Sequence, residues 1–203
     1  MHNNERTLSM HYDHHPGFVF LKGTTPILVS APHAVVHERD NKLKYAEPET
    51  AQLAQDLHAH HHVSAIWKTD HDMHDANSED TSYFRDTIVD FIEKEHIICG
   101  IDLHQCSPQR EQDLIIGTGK GKNVFYDDYY ATTIETINKS YHLNIVIDEI
   151  FPALGNNRVS TDVSSRTRIP YLQVEINSKL LLQEEQYGVI LSFLADFISC
   201  LEK

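Results

Sequence analysis

Residues 97–106 read IICGIDLHQC. An apolar run stops at an acid and an imidazole, Asp102 and His104, with one residue between them. Alternate side chains of an extended strand share a face, so both project the same way. Two readings follow. His104 is either a core histidine satisfied by its surroundings or half of a metal site.

Working outward, 97–104 reads as a buried strand, preceded by SEDTSYFRDTIVDFIEKEH (78–96), where Phe84, Ile88, Phe91 and Ile92 recur at helical spacing. Before that, VSAIWKTD (63–70) reads as a strand. PETAQLAQDLHAHHH (48–62) reads as a helix with Ala51, Leu53, Ala54 and Leu57 on one stripe, and with proline and acids at its start. GFVFLKG and PILVSAP (17–32) are two further strands, the second closing at Pro32-His33, with a loop after it. Downstream, DLIIGTG and LNIVIDEIF read as strands flanking a helix in YDDYYATTIETINKSY, and 152–170 reads as irregular. YLQVEIN (171–177) is a strand, and Val189 to Leu201 forms a last apolar helical stripe. Strands alternating with helices predict parallel crossovers. The expected fold is α/β: a three-layer αβα sandwich around a mixed, mostly parallel sheet.

At 203 residues, with no shift in composition that marks a linker, the chain is expected to form one domain over 1–203. No apolar stretch is long enough to span a membrane. The opening MHNNERTLSMHYDHHPG lacks the basic and apolar regions of a secretory signal, so the expected compartment is the cytoplasm. Three scattered cysteines fit a reducing environment and make no disulfide framework. A formal charge of −13 disfavours nucleic acid as a partner. Nine of the 15 histidines cluster at 11–15, 58–62 and 71–74, as a weakly metal-sticky surface would. GTGKGKN (117–123) lacks the spacing of a phosphate-binding loop and reads as a turn.

In open α/β sheets, sites collect beyond the carboxyl ends of strands. That rule selects His33, the stretch from Asp70 to Asn77, Asp102 with His104, and Glu175 in YLQVEIN. A catalytic zinc needs about three nitrogen or oxygen ligands, an open position and a carboxylate to move protons. His33 and His104 supply two nitrogens. Glu47 in KYAEPET is the best-placed third ligand, with Glu38 and His37 as rivals. Asp102 then orients an imidazole, and Glu175 is the candidate general base. The competing reading makes His33 and His104 buried histidines bonded to loop backbone, with Glu175 paired to an arginine such as Arg166.

The ordered set SAPHAVVHERD, KYAEPET, DAN, DLHQ, REQDLIIGTG and LQVEIN, over about residues 25–180, resembles the N-formylglutamate amidohydrolase-like family, which is related to the zinc carboxypeptidases and aspartoacylases. The resemblance implies one zinc per chain bound by His33, Glu47 and His104, with Glu175 as the proton shuttle. It further implies that Asn77 holds a substrate polar group and that Arg110 and Arg166 meet a substrate carboxylate. Two features depart from the family's usual pattern. Apolar AVV follows the first histidine where a small residue and glycine are usual, and a glutamate stands where the middle ligand is commonly aspartate. The expected activity is zinc-dependent cleavage of a small N-acyl amino acid or related carboxylate-bearing amide. The alternatives are a non-enzymatic metal-buffering or sensing protein using the clustered histidines, and a family member that binds its ligand without cleaving it.

Overall fold

The computed structural model describes residues 12–15 and 17–202. His11, and the side chains of His14 and His15, lie outside what it describes. In chain order the elements are β1 (Tyr12–His15), β2 (Phe18–Leu21), β3 (Ile27–Ala31), β4 (His37–Arg39), β5 (Lys42–Lys44), α1 (Pro48–His61), β6 (Ser64–Lys68) and α2 (Tyr83–Lys94). These are followed by β7 (Cys99–Cys106), β8 (Leu114–Gly117), α3 (Tyr129–Tyr141), β9 (Ile145–Ile147), α4 (Val159–Thr167), β10 (Tyr171–Asn177), α5 (Ser178–Leu181) and α6 (Glu184–Leu201).

Eight strands form one mixed sheet in the order β1-β2-β6-β3-β7-β10-β8-β9, and β4 and β5 form a separate hairpin. The four central strands β6, β3, β7 and β10 run parallel, while β2 and β8 pair antiparallel to β6 and β10. Odd-numbered residues of β3 and β7 (Ile27, Val29, Ile101, Leu103) and even-numbered residues of β10 (Leu172, Val174, Ile176) pack beneath α1, α3 and α6. The opposite face places Leu28, Ile66 and Tyr171 against Phe84 and Ile88 of α2 and Val159 and Val163 of α4. The result is the expected three-layer sandwich. Among the described residues no helix is long and apolar enough to cross a membrane.

From β3 the chain crosses through α1 to β6 on one side, then returns through α2 to β7 on the other side of β3. The strand order therefore reverses between β3 and β7, and a crevice opens there at the strands' carboxyl ends. His33 and His104 both belong to that opening.

Four details differ from the sequence reading. The segment 152–170 contains α4, whose Val159 and Val163 are fully buried against α2. The loop after β3 contains the hairpin β4–β5. Helix α2 begins only at Tyr83, capped by Ser82, whose Oγ accepts the Arg85 N–H. Strand β7 continues to Cys106, which puts that buried thiol in the wall of the crevice.

Gly100 of β7 lies opposite Tyr171 of β10 in the parallel register. The phenol ring covers the glycine so closely that a Cβ there would lie 2.2 Å from Tyr171 Cε2. Gly100→Ala is therefore expected to cost about 1–3 kcal/mol through overpacking, read as a lower midpoint in urea or thermal unfolding. An unchanged midpoint would contradict this packing.

Candidate metal centre

The residues on the α2/α4 face of the central strands turn polar toward the carboxyl ends, and there they form one connected network. The Tyr171 hydroxyl donates to Ser30 Oγ at 3.1 Å, and Ser30 donates to Asp102 Oδ1 at 2.6 Å. The other Asp102 oxygen lies 2.9 Å from His104 Nε2. Three strands thus fix one carboxylate, and the carboxylate fixes one imidazole. His33 has a matching support that the sequence reading missed: Asp75 Oδ1 lies 2.9 Å from His33 Nε2. Asp75 is fully buried and is itself held by Arg39 Nε at 2.5 Å.

A carboxylate on each Nε2 selects the tautomer with the proton there and turns both Nδ1 lone pairs inward. The two Nδ1 atoms stand 3.0 Å apart. Glu47, at the N-terminus of α1, closes the group: its oxygens lie 3.5 Å from His33 Nδ1 and 3.6 Å from His104 Nδ1. Its backbone N–H donates to the His33 carbonyl at 2.9 Å, which ties the start of the helix to the end of β3. Two ligands each about 2.0–2.1 Å from a tetrahedral ion lie roughly 3.4 Å apart, so the three donor spacings fit a first-row metal ion. Lone pairs facing one another at 3.0 Å also need a cation between them or a proton on one of them.

The electrostatics favour positive charge at the same point. Burial opposes a charge on either imidazole, yet the carboxylates raise both: Asp75 and Glu47 act on His33, and Asp102 and Glu47 act on His104. Burial likewise opposes ionisation of Glu47, but the two imidazoles bring it down to about 2. Glu175 on β10 stands beside His104 of β7 in the parallel register and accepts the Gln173 side-chain amide at 2.9 Å. Burial, reinforced by the charges of Glu47 and Asp102 and opposed by the two histidines, pushes it up to about 7.

Of the rival ligands, Glu38 is exposed on β4. His37 stacks on His33 at 4.0 Å and belongs to a second donor group with His33 and Asp75. That group shares His33 with the first, and the Arg39 guanidinium already occupies the approach to Asp75. The competing backbone-bonded reading fails on contacts, because the side-chain partners of His33 and His104 are mainly carboxylates and each other. Among the described residues, the histidines at 58–62 and 71–74 form no comparable group of three donors.

A cavity of about 580 Å³ opens over the group, walled by His33, Glu47, Asn77, His104 and Glu175. The cations that line it are Arg39, Lys44 and Arg158, rather than the two arginines expected to meet substrate. Arg110 stands behind the wall, stacked over the Phe151 ring at 4.6 Å. Arg166 lies on the outside of α4, bound to Asp86 and Asp162, so it does not pair with Glu175 either. Asn77 lines the cavity, but its side chain is engaged: Oδ1 accepts the Val159 N–H at 2.6 Å and the amide nitrogen lies 2.9 Å from His104 Nε2. Its carbonyl accepts from Arg158 at 3.1 Å. Nothing in the local pattern singled out Arg39 or Arg158, whereas Asp75 sat in the DAN stretch two residues before Asn77.

No family model matches the sequence, and no curated protein matches it. Solved structures do share the fold. A gene product of Agrobacterium tumefaciens superposes with a TM-score of 0.70 at 12% identity, covering 91% of this chain and 93% of its own. N-formylglutamate amidohydrolase from Ralstonia eutropha has a TM-score of 0.61 at 10% identity, with 92% and 97% covered. A bacteriophage poly-gamma-glutamate hydrolase gives 0.56 at 12% identity, with 98% and 90% covered. The fold is thus the one the sequence motifs pointed to.

Because each imidazole depends on the carboxylate behind it, Asp75→Asn and Asp102→Asn are each expected to weaken binding of a divalent transition metal about 10- to 100-fold. Competitive titration against a chromophoric chelator measures this. Wild-type affinity in both variants would show that the carboxylates do not orient the rings.

Proposed function

We propose that the chain is a single zinc-dependent amidohydrolase domain that cleaves the amide of a small N-acyl amino acid or a related carboxylate-bearing amide. The observation that carries this reading is the inward-facing group His33 Nδ1, His104 Nδ1 and Glu47, with Glu175 on the adjacent strand. Two histidines and one carboxylate suit zinc, and they leave a position open toward the cavity. Zinc bound there supplies Lewis-acid polarisation of a carbonyl and acidifies water.

The chain's own residues do the rest. Asp75 and Asp102 hold the Nε2 protons and aim both Nδ1 atoms inward. Glu175, held near neutrality by burial, takes a proton from the attacking water and passes it to the departing amine nitrogen, which restores the carboxylate. Arg39 and Arg158 take the role of carboxylate partner that the resemblance gave to Arg110 and Arg166, since they line the cavity. Asn77 acts as a clamp between His104 and the start of α4, with its substrate contact limited to the cavity wall. Two of the similar structures carry the names of enzymes acting on glutamate-containing amides, which supports the substrate class.

Protein purified without a histidine tag is expected to carry about one zinc per chain by elemental analysis. His33→Ala and His104→Ala should each lose it, and replacing His60, His61 and His62 together should not. Stoichiometric zinc in both single variants would remove the site. Glu175→Gln is expected to keep zinc and lose about 100- to 10,000-fold in turnover of N-acyl amino acids, because the amide cannot accept the proton. Normal turnover would remove Glu175 from that role.

A further inference from the structure

Arg39 and Arg158 stand on the wall that two neighbouring cavities share. Beyond the cavity over the donor group lies a second, open one of about 540 Å³. The two share Arg39, Asn77, Leu154 and Arg158 along their common wall. A site built for a free amino acid would close behind the cation that holds its carboxylate. Here a second cavity adjoins the first along the wall that carries both arginines.

The second cavity has the chemistry of a chain-binding surface. Asn77, Asn156, Asn157 and Ser78 line it, and its two arginines are balanced by Asp40 and Asp80. Asn77 is engaged by Val159 and His104, and the Asn157 nitrogen donates to the Ser78 carbonyl and to Asp80, so the exposed Asn156 amide and the Asn157 oxygen are the groups placed to meet the alternating donors and acceptors of a peptide-type backbone. Arg158 makes no ion pair among the described residues, its described hydrogen bond going to the Asn77 carbonyl. Burial and the neighbouring Arg39 both disfavour its charge, so a bound anion between the two would relieve that repulsion. Each cavity alone falls within the range of about 300–1,000 Å³ that holds a drug-sized ligand, and a single N-acyl amino acid is smaller than such a ligand.

Building on the amidohydrolase reading, we propose that the substrate is an oligomeric, peptide-type amide that runs through both cavities. Its scissile bond lies at the His33, Glu47, His104 and Glu175 group, a carboxylate sits between Arg39 and Arg158, and at least one further amide unit reaches the asparagine-lined cavity. Hydrolysis adds water across one amide within the chain and yields a carboxylate and an amine.

The test uses the full-length, zinc-loaded protein with N-acetylated glutamyl and aspartyl chains of one to four residues. The expected result is a rise in kcat/KM of about tenfold or more from one residue to three, the value of one good charge-assisted contact. Asn156→Trp, which fills the second cavity from an exposed position, should bring the ratio of long to short substrate down toward one. Equal or falling kcat/KM with chain length would overturn the proposal while leaving the amidohydrolase reading in place. A full rise retained in Asn156→Trp would remove the second cavity from it. Turnover of no chain at any length would overturn both.

Discussion

The rest of the structure depends on a contact that is unfavourable by itself: two imidazole nitrogens aimed at one another, 3.0 Å apart, in the buried end of a sheet. Neither ring is free to turn away. Asp102 holds one from behind and is held in turn by Ser30 and Tyr171, while Asp75 holds the other and is held by Arg39. Burying these carboxylates costs free energy unless hydrogen bonds and opposite charge offset it. That requirement accounts for the chain of partners reaching across β10, β3 and β7, and for a guanidinium beside Asp75. A cation bound among the three inward donors would supply the remaining compensation.

The sheet topology makes this arrangement possible. Reversal of strand order between β3 and β7 leaves a crevice that helices do not cover, and the parallel register sets Glu175 beside His104. The period of two then sorts the side chains. Ile101 and Leu103 enter the core beneath α1 and α6, whereas Gly100, Asp102 and His104 take the other face. An otherwise acidic protein, with a formal charge of −13, thus carries a small cationic wall of Arg39 and Arg158 around its crevice. A local positive field of this kind selects anions at close range even where the overall field repels them.

Much of this was legible in the sequence, for a physical reason: buried strands and amphipathic helices leave periodic traces. IICGIDLHQC showed both its apolar run and the shared parity of Asp102 and His104, and the stripe from Val189 to Leu201 showed α6. Helix α4 was not legible. Its sequence VSTDVSSRT is rich in serine, threonine and valine, which favour helices weakly, and it buries only a short stripe against α2. The hairpin at 37–44 is short and largely polar. At the site, the strand-end rule found His33, His104 and Glu175, because these positions are local properties of strands. The arginines that line the cavity were not the ones the sequence suggested, because that lining depends on packing between distant segments: Arg39 and Arg158 share one wall across 119 positions of sequence, whereas Arg110 and Arg166 are drawn off by Phe151 and by Asp86 and Asp162. Asp75 carried no periodic signal, and its role appears only once β6 brings it behind His33.

The central claim is that His33, Glu47 and His104 converge on one metal ion. Anomalous diffraction from a zinc-loaded crystal, recorded on both sides of the zinc absorption edge, tests it most directly. The account predicts one strong peak per chain, about 2.0–2.2 Å from His33 Nδ1, His104 Nδ1 and a Glu47 oxygen. A peak instead among the histidines at 58–62, or a fully loaded protein with no peak between His33 and His104, would contradict it.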